Sequence, residues 1–233
     1  MDFRGQQVVV TGGTGALGSA VVGALLAAGA ACRVPYVSEP EAQRYAHRGH
    51  DRVMLVGPFE LADEAQVARL YDGLPPLAAS IHLAGGYAAG AVADTAKAAL
   101  MAQLDGNFVS CFLCCRAAVR AMQGGGQGGR IVNVAASPAL EWRAGAGMAA
   151  YTASKAAVAA LSVALAEEVA KDGILVNAVA PSIMDTPANR AAMPKADHAA
   201  WPKVEEVTAT ILFLASVDNR VTRGAVVPVY GRS

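Results

Sequence analysis

Tyr151 and Lys155 stand four residues apart in Tyr151-Thr152-Ala153-Ser154-Lys155, within an alanine-rich run. On a helix, residues i and i+4 share a face, so a phenol and an ammonium are held side by side. A free tyrosine titrates near pH 10, and ionising it at pH 7 costs about 4 kcal/mol. A neighbouring ammonium favours the phenolate. Such a pair can give or take a proton while a bond changes at an adjacent carbon. Alone, this spacing is common and more often marks a solvated helix face.

A second feature lies near the N-terminus. Val8 to Val10 reads as a strand and runs directly into Thr11-Gly12-Gly13-Thr14-Gly15-Ala16-Leu17-Gly18, after which a helix begins. Glycines here permit a tight turn, close backbone approach to a pyrophosphate, and close helix–strand packing. Backbone N–H groups and the positive end of the helix dipole then hold phosphates. The strand–loop–helix context makes this a dinucleotide site, with NAD and NADP both open. The residue that would hold the adenosine ribose falls near Tyr36, within Val34-Pro35-Tyr36-Val37-Ser38. No acidic residue stands there for a 2′-hydroxyl. Arg33 and Ser38 are the candidates for a 2′-phosphate.

The elements that must position these residues alternate. Strands are expected at Val8–Val10, Ala31–Val37, Val53–Val56, Ala79–Leu83, Ile131–Ala135, Leu175–Ala180 and Val226–Val229. Helices are expected at Gly18–Ala28, Asp63–Tyr71, Ala96–Met122, Ala150–Lys171 and Val204–Ser216, with Gly124 to Gly129 as a surface turn. That order implies an α/β fold: one doubly wound parallel sheet with helices on both faces, spanning 1–233 as a single Rossmann-type domain.

Composition excludes several classes. Hydrophobic residues make up 54% and charged ones 16%, which rules out disorder. Lys plus Arg and Asp plus Glu both number 19, with no block of like charge, so no nucleic-acid or membrane footprint is expected. The stretch between Arg4 and Arg33 contains no charge and is long enough to span a bilayer, but its glycines divide it into strand, loop and helix. The four cysteines, Cys32, Cys111, Cys114 and Cys115, suggest no disulfide framework and fit a reducing cytoplasm. Cys111 and Cys114 have C-x-x-C spacing inside an apolar helix and read as buried inert thiols. His47, His50, His82 and His198 are scattered, so no metal is expected.

Taken together, Gly12 to Gly18, Leu83-Ala84-Gly85-Gly86, Asn107, Tyr151 to Lys155 and Pro181 to Thr186 resemble the short-chain dehydrogenase/reductase family, in order and spacing along essentially the whole chain. The resemblance implies a nicotinamide-dependent oxidoreductase acting on a carbonyl or alcohol, with Tyr151 as acid/base. It implies that Lys155 binds the nicotinamide ribose and lowers the tyrosine pKa, and that Asn107 anchors a proton-relay water. Thr11, Gly12, Gly15, Ala16, Leu17 and Gly18 would hold the phosphates, and Tyr36 would meet the ribose. Ala84, Gly85 and Gly86 would line the adenosine side. Glu60, with Leu61 beside it, stands where the family often places an adenine-contacting aspartate. Pro181, Ile183 and Thr186 match the segment that touches the carboxamide.

The chain also departs from the family pattern. Ala16 replaces a common glycine, with Gly15 compensating, and Ser182 replaces the glycine usual after Pro181. Ala135 and Ala136 occupy the places of a usual serine pair, and counting back from Tyr151 lands on Pro138. Ser137 is the nearby hydroxyl and the candidate catalytic serine; the alternative is a strand-end serine capping a turn.

A narrower resemblance, to dihydropteridine reductases, covers Asp185 to Pro194, Ala196-Asp197 and Trp201. It would give an apolar pocket of Tyr87, Trp142, Met148, Met184 and Trp201. Three readings follow: a carbonyl reductase, an enzyme reducing a quinonoid pterin, and a catalytically silent cofactor-sensing module. The family resemblance also implies a homodimer or homotetramer formed through the two long helices.

Overall fold

Val8, Val9 and Val10 are completely buried, because the strand they form lies inside the sheet with both faces covered. The computed structural model of the chain describes residues 1–232. Its seven strands are β1 (Gln7–Thr11), β2 (Ala31–Pro35), β3 (Val53–Val56), β4 (Leu77–His82), β5 (Gly129–Val134), β6 (Ile174–Pro181) and β7 (Val226–Val229). They pair in the order β3-β2-β1-β4-β5-β6-β7, every pair parallel. The chain order reverses between β1 and β4, where Thr11 stands opposite His82. In a doubly wound sheet that switch point is where ligands bind.

Helices α1 (Ala16–Ala27) and α8 (Val204–Ala215) cover one face, packing Val21, Leu25, Ile211 and Leu214 on Val8 and Val10. On the other face lie α3 (Glu64–Tyr71), α5 (Ser110–Gly125) and α6 (Ala149–Glu168), which contribute Leu70, Cys114, Met122 and Val158. Two short helices escape the sequence pattern: α2 (Glu39–Arg44) and α7 (Pro187–Ala192). Six residues are too few for a readable apolar period. Their caps were nonetheless visible: both carry Pro in the first turn, and the Thr186 hydroxyl accepts from the Asn189 N–H.

The long central helix is a rod of three parts. α4 (Lys97–Gln103) leads into α5 through a π-helical segment, Leu104–Val109, which contains Asn107. Single π turns recur at functional sites because the extra residue re-aims a side chain. The expected Gly124–Gly129 turn is shorter than its glycines suggest: α5 runs to Gly125, Gly126 caps it in the left-handed region, and Gly129 already opens β5.

The helical spans Lys97–Gly125 and Ala149–Glu168 are long and apolar enough to cross a bilayer, by length and composition. Here they lie along the sheet, α5 against β4 and β5, α6 against β5 and β6.

Candidate active site and dinucleotide cradle

The glycine turn follows β1 and is built by removing side chains. Gly12 adopts φ +66°, and a Cβ there would lie 2.6 Å from the Ala84 nitrogen. A Cβ at Gly18 would clash with the Gly12 carbonyl oxygen, so α1 can dock against the turn only with glycine at this place. No side chain caps the N-terminus of α1, and its first turn holds no acidic residue. Gly15 and Ala16 are exposed at this end, while Leu17 anchors it in the core. A bare backbone cradle with a positive dipole end fits a diphosphate.

Opposite the turn, the Thr11 hydroxyl accepts from the Ala84 N–H at 3.4 Å, tying β1 to the segment after β4. Asn107, almost fully buried, spends its whole amide nearby. Its Oδ1 accepts from the Gly86 N–H at 2.9 Å, and its Nδ2 donates to the Gly86 carbonyl and the Ser154 hydroxyl at 3.0 Å each. Gly85 admits this clamp, since a Cβ there would overlap Asn107 Oδ1. Ser154, which sequence reasoning passed over, donates in turn to the Tyr151 carbonyl at 2.7 Å.

Lys155 is the sole Lys, Arg, Asp or Glu among the buried described residues. Such side chains are seldom buried without a partner. Its Nζ donates to the Val134 carbonyl at 2.8 Å, which uses one of three donors. An ideal Cβ on Gly85 would stand 3.4 Å from that nitrogen, so the ammonium lies beside the Gly85 backbone. Burial pushes the Lys155 pKa down to about 8. Tyr151 is half-buried, with the exposed Tyr87 ring edge-on to it at 5.0 Å between centroids. Burial first, and Tyr87 second, push the Tyr151 phenol up to about 12. This corrects the expectation of a lowered tyrosine: the desolvated phenol keeps its proton at neutral pH.

The remaining expected residues are scattered in role. Ser137 opens a short 3-10 turn, half-buried, and its hydroxyl has no hydrogen-bond partner among the described residues. Tyr36 follows β2, its phenol 2.7 Å from a Glu39 carboxylate oxygen and 2.9 Å from the Gly57 carbonyl. Glu60 is exposed and accepts from the Ala62 N–H, whereas Leu61 points into the core. Pro181 ends β6, Ile183 is exposed, and Thr186 is occupied capping α7.

Arg33 is not available for a 2′-phosphate. Its guanidinium donates to the Leu70 and Asp72 carbonyls at the far end of α3. Strand alternation explains this, because Cys32 and Val34 take the opposite face.

Four of the five residues expected to wall a pocket, Tyr87, Trp142, Met184 and Trp201, have different neighbours. Tyr87 lies on Tyr151, whereas Trp201 is buried against His198, with ring centroids 4.6 Å apart. Met184 packs against the core of the α1 face. Trp142 is exposed and lines an open groove with Arg143, Gly145, Thr152, Ala153 and Ala156, and neither Tyr151 nor Lys155 borders that groove.

One histidine has thiol neighbours that the sequence spacing does not announce. His82, Cys111 and Cys115 bring potential ligand atoms within 4.8 Å of one another, so Cys111 is grouped with Cys115 rather than with Cys114. His82 Nε2 lies 2.8 Å from the Ser80 hydroxyl, and its Nδ1 lies 2.8 Å from Asn133 Oδ1. Asn133 in turn donates to Ser162 on α6 at 2.9 Å.

Known proteins resemble this chain along most of its length. A family model described as short chain dehydrogenase matches residues 6–197. A galactitol 2-dehydrogenase of Rhizobium johnstonii is 35% identical, the match covering 97% of this chain and 93% of the relative. A cis-4-hydroxycyclohexanecarboxylate dehydrogenase of Sinomonas cyclohexanicum is 34% identical, covering 98% and 96%. Among solved structures, ElxO with NADP bound superposes with a TM-score of 0.88 at 22% identity, covering 97% of each chain. These matches do not show the narrower likeness to dihydropteridine reductases.

Proposed function

The chain belongs to the short-chain dehydrogenase family, and from that premise we propose that this oxidoreductase interconverts a secondary alcohol and its ketone, with Tyr151 as the acid/base. One observation carries the reading: a buried ammonium, Lys155, beside the Gly85 backbone that follows β4 and one helical turn from a half-buried phenol. Burying that charge serves no packing purpose that an apolar side chain would not serve better. A bound NAD or NADP supplies or takes the hydride.

The chain's own residues do the rest. The backbone of Thr11, Gly12, Gly15, Ala16, Leu17 and Gly18 holds the diphosphate. Tyr36, Glu60, the Leu61 backbone, Ala84, Gly85 and Gly86 bound the adenosine half, and Pro181, Ile183 and Thr186 bound the nicotinamide end. Lys155 hydrogen-bonds the adjacent ribose and holds positive charge beside the phenol. In the reducing direction Tyr151, kept protonated by burial, delivers its proton to the oxygen of the ketone. In the oxidising direction it accepts that proton, and the nearby positive charge stabilises the phenolate. Ser137, with its hydroxyl unspent, polarises the substrate oxygen. Asn107 fixes Gly86 and the start of α6 so that these groups stay in register. Galactitol 2-dehydrogenase and the hydroxycyclohexanecarboxylate enzyme, by name, act on secondary alcohols, which is the substrate class adopted here.

Leu100, Met101, Phe112 and Val163, exposed apolar residues on the two long helices, support a homodimer or homotetramer in which a second copy of the chain would cover them. A dinucleotide-dependent assay on polyols and cyclic alcohols tests the function. Tyr151→Phe is expected to bind dinucleotide as the unsubstituted protein does while turning over about a thousandfold more slowly. Full turnover by that variant with every accepted substrate overturns the assignment.

A further inference from the structure

β2 ends without the acidic residue that usually holds an adenosine ribose in this type of site. The structure supplies one from elsewhere. Glu41 lies on α2, and its side chain folds back toward the sheet: one carboxylate oxygen accepts from the Val37 N–H at 2.9 Å, just beyond β2. The other oxygen accepts from the hydroxyl of Thr14, inside the glycine turn. One carboxylate thus bridges the two segments between which an adenosine ribose must lie. Capping α2 requires only the contact with the backbone at its start. The Thr14 bond is additional, and it sets the charge at the lip of the cradle.

We propose that Glu41 makes this site select the dinucleotide with a free adenosine 2′-hydroxyl, NAD(H), over the form bearing a 2′-phosphate. The inference rests on the glycine turn holding a dinucleotide, as proposed above. A carboxylate can accept hydrogen bonds from ribose hydroxyls, and it repels a phosphate dianion at the same place. Hydrogen bonds from Thr14, Val37 and Ser38 hold the Glu41 carboxyl below its ordinary range despite partial burial, so it is charged at neutral pH. Glu39 adds a second carboxylate at Tyr36. The cations nearby are differently placed. Arg33 is committed to the far side of the sheet, while Arg44 and Arg48, whose charges reach Glu41 and Tyr36 respectively, are exposed and make no hydrogen bond to the turn or to Tyr36 among the described residues.

Isothermal titration calorimetry with NADH and NADPH, on the full chain and two variants, tests this without any turnover. The unsubstituted protein is expected to bind NADH at least about tenfold more tightly than NADPH. Glu41→Gln keeps an acceptor for Thr14 but removes the charge, and should bring the two affinities within about twofold, chiefly by tightening NADPH. Thr14→Ala leaves the charge in place and should retain the preference. Should Glu41→Gln not fold, titration of the unsubstituted protein at low and high salt gives the same answer, because screening shrinks a repulsion-based ratio. Equal affinities, tighter NADPH, or a ratio unmoved by both Glu41→Gln and salt overturns the proposal while leaving the cradle intact. Binding of neither dinucleotide overturns the cradle and this proposal together.

Discussion

Along the turn after β1, Gly12, Gly15 and Gly18 leave a bare backbone, and the cradle is defined by what is missing. Across the crevice, at Asn107, Ser154 and Lys155, the chain does the opposite, burying polar side chains and spending their hydrogen bonds on one another and on backbone. The first region offers a ligand only groups that every residue carries, so its specificity would be steric and its cost is low. The second holds particular atoms at particular places, and it carries a desolvation cost that leaves a lysine near pKa 8 and a tyrosine near 12. Substitutions in the first region should therefore act on dinucleotide affinity. Those in the second should act on rate or on stability, according to whether they touch the reacting groups.

The largest effect expected is at Lys155. Lys155→Ala removes both the proposed ribose contact and the buried charge one helical turn from the phenol, and steady-state kinetics should show kcat/KM lower by about a thousandfold or more. A loss confined to KM would move Lys155 out of the chemical corner and into the binding half. Next comes Gly18→Val, whose side chain collides with the Gly12 carbonyl. Calorimetry should show dinucleotide affinity reduced by about a hundredfold, with circular dichroism confirming a retained sheet. Unchanged affinity would mean that the turn is merely a structural loop.

Asn133→Ala sharpens the contrast between reacting and supporting groups. It leaves His82 Nδ1 with only the Cys115 thiol and takes one donor from the Ser162 hydroxyl, which still donates to the Val158 carbonyl, and chemical denaturation should show about 1–3 kcal/mol lost, with dinucleotide affinity in the original range. The smallest effect is in the pH profile. Lys155 carries its charge below about pH 8 and loses it above. Ketone reduction at saturating substrate should be level up to pH 7 and fall about tenfold for each unit above pH 8. A rate that climbs across that range contradicts a requirement for the ammonium. Stability runs the other way: the folded pKa lies below the ordinary 10.5, so the fold gains stability as pH rises from about 8 toward that value.

The two regions were unequally readable in the sequence, and the reason is distance along the chain. The glycine turn declares itself in eight consecutive residues, with its strand before and its helix after. The parallel sheet follows from alternation alone, and Tyr151 with Lys155 from helical spacing. Nothing local, however, pairs Asn107 with Ser154 or His82 with Cys115, because those contacts join separate elements whose register only folding sets. Arg33 was misread because its place on the strand was considered without asking which face the alternation gave it. Glu41 was missed because α2 is too short to show a period, although Ser38-Glu39-Pro40-Glu41 is a recognisable helix start. The raised Tyr151 pKa was missed for a related reason: helical spacing says nothing of the burial, or of the Tyr87 ring, that pushes it up.

A crystal structure with bound dinucleotide tests the central claim most directly. The account predicts a diphosphate on the N–H groups of the glycine turn, with the Lys155 Nζ hydrogen-bonded to the nicotinamide ribose and the Tyr151 hydroxyl beside the ring carbon that exchanges hydride. A nicotinamide lying away from Tyr151, or a diphosphate bound anywhere other than the turn, would contradict it.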